Sequence, residues 1–449
     1  MIRTVRASLL LAAMVAVSGC GVFKPSKPKT PVLGQRVPIL VSETGAEVDP
    51  ALAAVEVLLP PLTVNETWTQ PGGNSAHSMG HLGLGASPTR AWEARIAGST
   101  NRARLAAGPV VAGGRVYAVD TEARLHAFDA ATGNPVWTAF VGDAADDDRG
   151  SSARRNERSL FGGGVSVEGD RLFATNGLGD VVAFNAADGS VIWRKRPGSP
   201  LRGAPTLSNG NVYVMSQDNQ LYALRQSDGN VEWTESGTLE VSGVFGVAAP
   251  AAAQGTIVAG FSSGELTAYR YENGRPVWQD ALNRTSISTS VGTISDIDAD
   301  PVVDQGRVFA IGSGGRMVAL ELVTGQRVWE INAGGISTPW IAGEWLFAVT
   351  DDARLLAVAR SNGRVRWATQ LKRWRSAKKK QGPISWVGPI LAGNRLIAVS
   401  SEGEMVYVTP GTGAIEATVD YGRPVSLAPA VANNTLFLLD DEGRLTAWR

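Results

Sequence analysis

Ala127-Phe-Asp-Ala-Ala-Thr-Gly-Asn-Pro-Val-Trp137 reads as a strand, a tight turn at Gly133 and the strand that follows. Hairpin turns need residues that tolerate positive φ, which is the use of Gly and Asn there. Working outward, the frame recurs. Trp193, Trp233, Trp278, Trp329 and Trp367 each close a unit, and a seventh unit closes at Ala417. Gly stands four residues before every one of these ends, at Gly133, Gly189, Gly229, Gly274, Gly325, Gly363 and Gly413. Ala stands ten residues before six of them, and Tyr407 takes that place in the seventh. Units open at Pro109, Val165, Pro205, Pro250, Pro301, Pro339 and Pro389. Within the third, Ala204-Pro-Thr-Leu-Ser, Val212-Tyr-Val-Met-Ser, Leu221-Tyr-Ala-Leu and Val231-Glu-Trp-Thr are short strands separated by Asn- and Gly-containing turns. Four short antiparallel strands per repeat specify a β-propeller blade.

The last unit opens at Pro429 and stops at Arg449, short of a fourth strand. An unmatched Trp92 precedes the first unit, so its strand is expected to complete that blade. The fold class is therefore all-β: an eight-bladed β-propeller of four-stranded antiparallel blades, its ring closed by an N-terminal strand that removes the open edge. The motif resembles the quinoprotein-type (PQQ-like) propeller repeat, Ala-x-Asp-x-x-Thr-Gly-x-x-x-Trp, over about residues 89–449. The resemblance implies that Trp92, Trp137, Trp193, Trp233, Trp278, Trp329 and Trp367 are structural, packing between blades.

The N-terminus reads as an address. Arg3 and Arg6 precede an apolar run from Leu9 to Val17 that is too short to span a bilayer. Val17-Ser18-Gly19-Cys20 resembles the lipobox of bacterial lipoproteins, which implies acylation at Cys20, the only cysteine. Gly21 follows, not the Asp that in such proteins often marks inner-membrane retention, so the expected location is the outer membrane, lipid-anchored and facing the periplasm. The domain reading is a signal peptide over 1–19, a lipidated Cys and proline-rich mobile tether over 20–62, an ordered extension over 63–88, and the propeller over 89–449. In the extension, His77 and His81 lie among glycines that disfavour a helix, and read as loop packing rather than metal ligands.

Composition narrows function. Lys and Arg number 42 and so do Asp and Glu, for zero formal charge, which argues against nucleic acid as a partner. One cysteine excludes the adjacent Cys pair of several quinoproteins, and no inward carboxylate set for calcium is evident, so no catalytic residue, metal or cofactor is expected. A lipid-anchored quinoprotein dehydrogenase and a periplasmic ligand or cell-wall binder are the alternatives.

Insertions fall between each unit's end and the next opening, with gaps of 17, 28, 12, 17, 23, 10, 22 and 12 residues, and all these connections emerge on one face. The unusual loops are Gly142–Gly164, Asn283–Asp300 and the basic Lys372–Gly388, which suits an acidic partner, lipid head groups or solvent. Leu201-Arg202-Gly203 and Ser295-Asp296-Ile297-Asp298 resemble two loops of the BamB family of outer-membrane β-barrel assembly lipoproteins. In that family these loops bind a periplasmic POTRA domain of BamA. The resemblance implies Leu201, Arg202, Asp296 and Asp298 as partner-binding residues, with Leu201 as an apolar anchor. It also implies contact with other assembly-machine subunits and with nascent outer-membrane proteins.

Overall fold

The computed structural model describes residues 46–143, 162–201, 203–238, 248–282, 296–313 and 315–449. The expected signal peptide over 1–19, Cys20, most of the expected tether and Arg202 lie outside them. Among these residues are eight four-stranded antiparallel sheets and one two-stranded sheet. The four-stranded sheets are the blades of an eight-bladed β-propeller. Blade 3 is typical: Thr206–Ser208, Asn211–Met215, Gln220–Arg225 and Val231–Ser236, here called strands A to D from the axis outward. Blade 8 takes strands A to C from Ala430–Ala432, Thr435–Leu439 and Arg444–Trp448, and strand D from Arg90–Arg95. Trp92 pairs with Ala447 there, in the register that joins Trp137 to Ala127 in blade 1. The N-terminal strand thus closes the ring.

The periodic Trp and Gly act together across every latched seam. Each of the seven Trp side chains donates Nε1–H to a backbone carbonyl in the C–D turn of the next blade, at 2.7 to 3.2 Å. Its ring covers that turn's glycine, where a Cβ would stand only 2.5 to 2.8 Å from ring atoms. The glycine is needed twice, for its positive φ and for the space. On its own sheet each Trp faces the small Ala of strand C. Blade 7 reverses the pair, with Tyr407 on strand C facing Ala417 on strand D. The reason is topological. Strands C and D of blade 8 come from opposite ends of the described chain, so no glycine hairpin exists there for a Trp at 417 to cover.

The residues before the propeller do more than tether. Asp49 N–H bonds the Val365 carbonyl at 2.8 Å, Arg366 bonds the Val55 carbonyl at 2.9 Å, and Asp49 pairs with Arg364 at 3.2 Å. The expected mobile tether over 20–62 is corrected for 46–62: residues 48–55 bond the outermost strand of blade 6, and the Pro60 carbonyl accepts from His81. Residues 65–82 then run around the axis. In chain order they bond the innermost strand of each blade in turn: Asn65 with Asn433 of blade 8 beside its strand A, Trp68 with Val111, Thr69 with Val167, Gln70 with Leu207, Ser75 with Ala252, Ala76 with Val303, Gly80 with Trp340 and Leu82 with Leu391. Trp68 is buried and stacks on Trp340, with ring centroids 6.3 Å apart. Peptide groups of the innermost strands would otherwise face the channel; this segment supplies their partners.

Candidate functional site

In a blade of strands A to D, the D-to-A connections and the B–C turns share one face. Leu201 lies in the connection into blade 3, and Asp296 and Asp298 lie in the connection into blade 5. All three therefore belong to the same side of the ring.

Leu201 differs from the expected exposed anchor. It is 1% exposed, bridges to Ser216, and packs with Phe173, Trp193 and Tyr222. Its side chain seats the connection in the seam between blades 2 and 3. What this segment can show a partner is its backbone and the residues beside Leu201. The second connection is seated likewise. Ile297 is 1% exposed and packs against Leu282 and Val303, and Gly260 leaves room for it, since a Cβ there would stand 2.5 Å from Ile297 Cγ2. The Asp296 carbonyl accepts from Ser313 N–H at 2.8 Å. Asp296 is buried, and Asp298 is half-buried as a residue with both carboxylate oxygens turned away from solvent. Each connection thus has an apolar side chain inside that seats it against the blades.

A cavity of about 160 Å³ lies at the centre of this face, between the residues that lead into the innermost strands and the 65–82 segment. Trp68, Gln70, Gly203, Ala249, Asp300 and Thr338 are among its lining. Asp300 Oδ1 accepts from Ala249 N–H at 2.7 Å, and burial raises its carboxyl above the ordinary range although His77 nearby opposes this. His77 and His81 do not converge. Their Nδ1–H groups donate to the carbonyls of Pro301 at 2.7 Å and Pro60 at 2.9 Å. Among the described residues no group of three or more His, Cys, Asp or Glu is placed to hold a metal ion.

The third long connection carries the two-stranded sheet, Trp374–Ser376 paired with Gln381–Pro383. This hairpin was not evident in the sequence, and of the extension over 63–88 only its order was expected, not its path around the axis. Trp68 was the one available signal for the latter, a large apolar residue amid glycines that calls for a buried site.

A family model described as "Outer membrane protein assembly factor BamB" matches residues 84–148 and 141–369, a span that includes both candidate connections. The outer membrane protein assembly factor BamB of Yersinia pestis is 26% identical over 364 residues, 81% of this chain and 89% of that protein. The Escherichia coli K12 protein of the same name is 28% identical over 330 residues, 74% and 80% respectively. Among solved structures, BamB from Moraxella catarrhalis superposes with a TM-score of 0.66 at 17% identity, covering 81% of this chain and 99% of that one. A quinohemoprotein alcohol dehydrogenase from Comamonas testosteroni gives 0.63 at 14% identity, covering 85% and 80%. Those two scores reflect a shared fold and do not separate an assembly factor from an enzyme.

Proposed function

The chain belongs to the BamB family of outer membrane protein assembly factors, and on that premise we propose that it is a scaffold lipoprotein that binds BamA through the face of the D-to-A connections. Its role lies in outer-membrane protein assembly and not in catalysis. The finer reading has four parts. Cys20 carries the lipid that holds the protein at the outer membrane, facing the periplasm. The connections around Leu201–Arg202 and Asp296–Asp298 receive a periplasmic POTRA domain of BamA. Other assembly-machine subunits gather on the same complex. Nascent β-barrels are the clients.

The observation that carries the BamA reading is the common face. Two connections that resemble the family's binding loops emerge on the same side, each seated by a buried Leu201 or Ile297. A single rigid partner can then meet both seated segments at once, which lowers the ordering cost of binding at those segments. Arg202 can donate in bidentate fashion, while the Asp298 carboxylate, whose oxygens are buried in the free protein, would have to turn outward to accept from Lys, Arg or backbone N–H groups. A quinoprotein reading is less favoured because residues 65–82 occupy the axial channel and bond to its wall on every side.

The test is affinity capture of the lipidated protein from native membranes, with a Cys20→Ser form alongside. BamA should co-purify with the lipidated protein, and the Cys20→Ser form should leave the membrane fraction. Absence of BamA from the captured material would refute the partner assignment.

A further inference from the structure

We infer that the hairpin Trp374–Pro383 is an electrostatic docking arm for an acidic surface on the protein that binds the D-to-A face. This deepens the BamA reading and rests on it. Residues 372–388 hold six cationic side chains and no acid, in a chain whose formal net charge is zero. The hairpin arises from the connection into blade 7, on the side that carries Leu201 and Asp298.

The base of the hairpin is fixed. Lys372 pairs with Glu404 at 2.5 Å and Arg375 with Glu402 at 2.6 Å. The Arg373 guanidinium lies over the Trp374 ring, 5.2 Å from its centroid. Trp386 Nε1–H donates to the Lys372 carbonyl at 2.9 Å, and Ile384 N–H to that of Arg373 at 3.0 Å. These contacts spend the charge of Lys372 and Arg375 within the protein. Lys378, Lys379 and Lys380 at the tip are different: all three are exposed, and no described carboxylate pairs with them. Three like charges held together on a rigid stem raise the local potential, a cost that an acidic partner would relieve.

Two features point to a protein surface over a membrane. The tip, Ala377 to Gly382, has no large apolar residue to enter a bilayer, since Trp374 is engaged at the base. A lipid surface would need only charge, which a mobile tail supplies, whereas this charge is held at a fixed offset from the two other connections. Lysine ammonium groups suit a spread of carboxylates rather than one bidentate contact.

The experiment measures association of the purified full-length chain with the purified periplasmic part of BamA, at about 20 mM and about 500 mM salt, across Debye lengths of very different reach. Lys378→Glu with Lys379→Glu and Lys380→Glu should lower the on-rate at least tenfold at low salt and less than about twofold at high salt, with little change in off-rate. The triple Lys→Gln form should fall between. Unchanged thermal unfolding confirms that each variant is folded. A parallel arm measures sedimentation with phosphatidylglycerol–phosphatidylethanolamine vesicles. If wild type binds BamA and the reversed form binds equally well, the docking arm is refuted while the partner reading stands. Loss confined to vesicle binding would refute it in favour of a membrane role. Failure of wild type to bind BamA would overturn both.

Discussion

Trp233 and Gly274 offer the sharpest test of how the blades are held together. Trp233 is 8% exposed, donates Nε1–H to the Tyr271 carbonyl at 2.8 Å, and lies between Tyr213 and Tyr269 with centroids 5.8 and 6.2 Å away. Replacing it by Ala empties a site between two blades, and such changes cost about 3–5 kcal/mol. Trp233→Phe keeps most of the ring but withdraws the donor from a carbonyl, for about 1–3 kcal/mol. Gly274→Ala acts from the other side of the seam. At φ +71 an L side chain is strained, at a cost of about 1–2 kcal/mol. The new Cβ would also stand 2.8 Å from Trp233 Cδ2, so the ring must shift. In the Trp233→Ala background that clash disappears and only the backbone strain remains. The double-mutant cycle should therefore show the two changes costing less together than the sum of the singles, by roughly 0.5–3 kcal/mol. Urea unfolding followed by circular dichroism reads these values as shifts in midpoint at constant slope. Strict additivity, or a Trp233→Ala cost below about 1 kcal/mol, would refute the latch.

Three other predictions follow the same physics. Ala417→Trp restores the repeat's usual residue yet should destabilise by about 1–3 kcal/mol, because Tyr407 already fills the facing position; a gain in the urea midpoint would contradict the account of the blade 7 seam. Trp68→Ala should cost about 3–5 kcal/mol and speed amide exchange at Val111 and Val167, whose N–H groups bond the axial segment; unchanged exchange would show that the segment does not secure the inner wall. Burial pushes the hydroxyls of Tyr213, Tyr269 and Tyr421 up to about 12, so the folded state disfavours their ionised forms. Their contribution to stability is complete below the ordinary value of about 10 and is lost as pH rises toward 12, and ultraviolet titration should show late ionisation that returns to about 10 in urea. All seven tyrosines ionising together near 10 in the folded protein would refute it.

The ring was legible because its signal is local and repeated. Gly229 must be glycine for its own turn and again for the Trp193 ring that covers it, so one spacing records both the hairpin and the blade contact. Trp92 could be assigned to the last blade for the same reason. The path of residues 46–82 was not legible, because most of its bonds to the ring are made by backbone groups, which leave little trace in residue choice. Leu201 shows a different limit. Lying in a connection suggested exposure, but connection membership does not say where a side chain points, and pairing with Ser216 turns this one inward. The same burial revises what Leu201→Ala would test: it removes a seat from beneath the loop, so its effect on partner binding must be separated from a loss of stability.

The most direct test of the central claim is site-specific photo-crosslinking in intact cells. Gln217 is exposed in the B–C turn of blade 3, and its N–H donates to the Pro200 carbonyl beside Leu201. Asp188 is exposed in the C–D turn of blade 2, on the opposite face. With a photoreactive residue at each position in turn, the D-to-A face account predicts an adduct with BamA from position 217 and none from position 188. An adduct from 188 alone, or from neither position while both proteins reach the outer membrane, would contradict it.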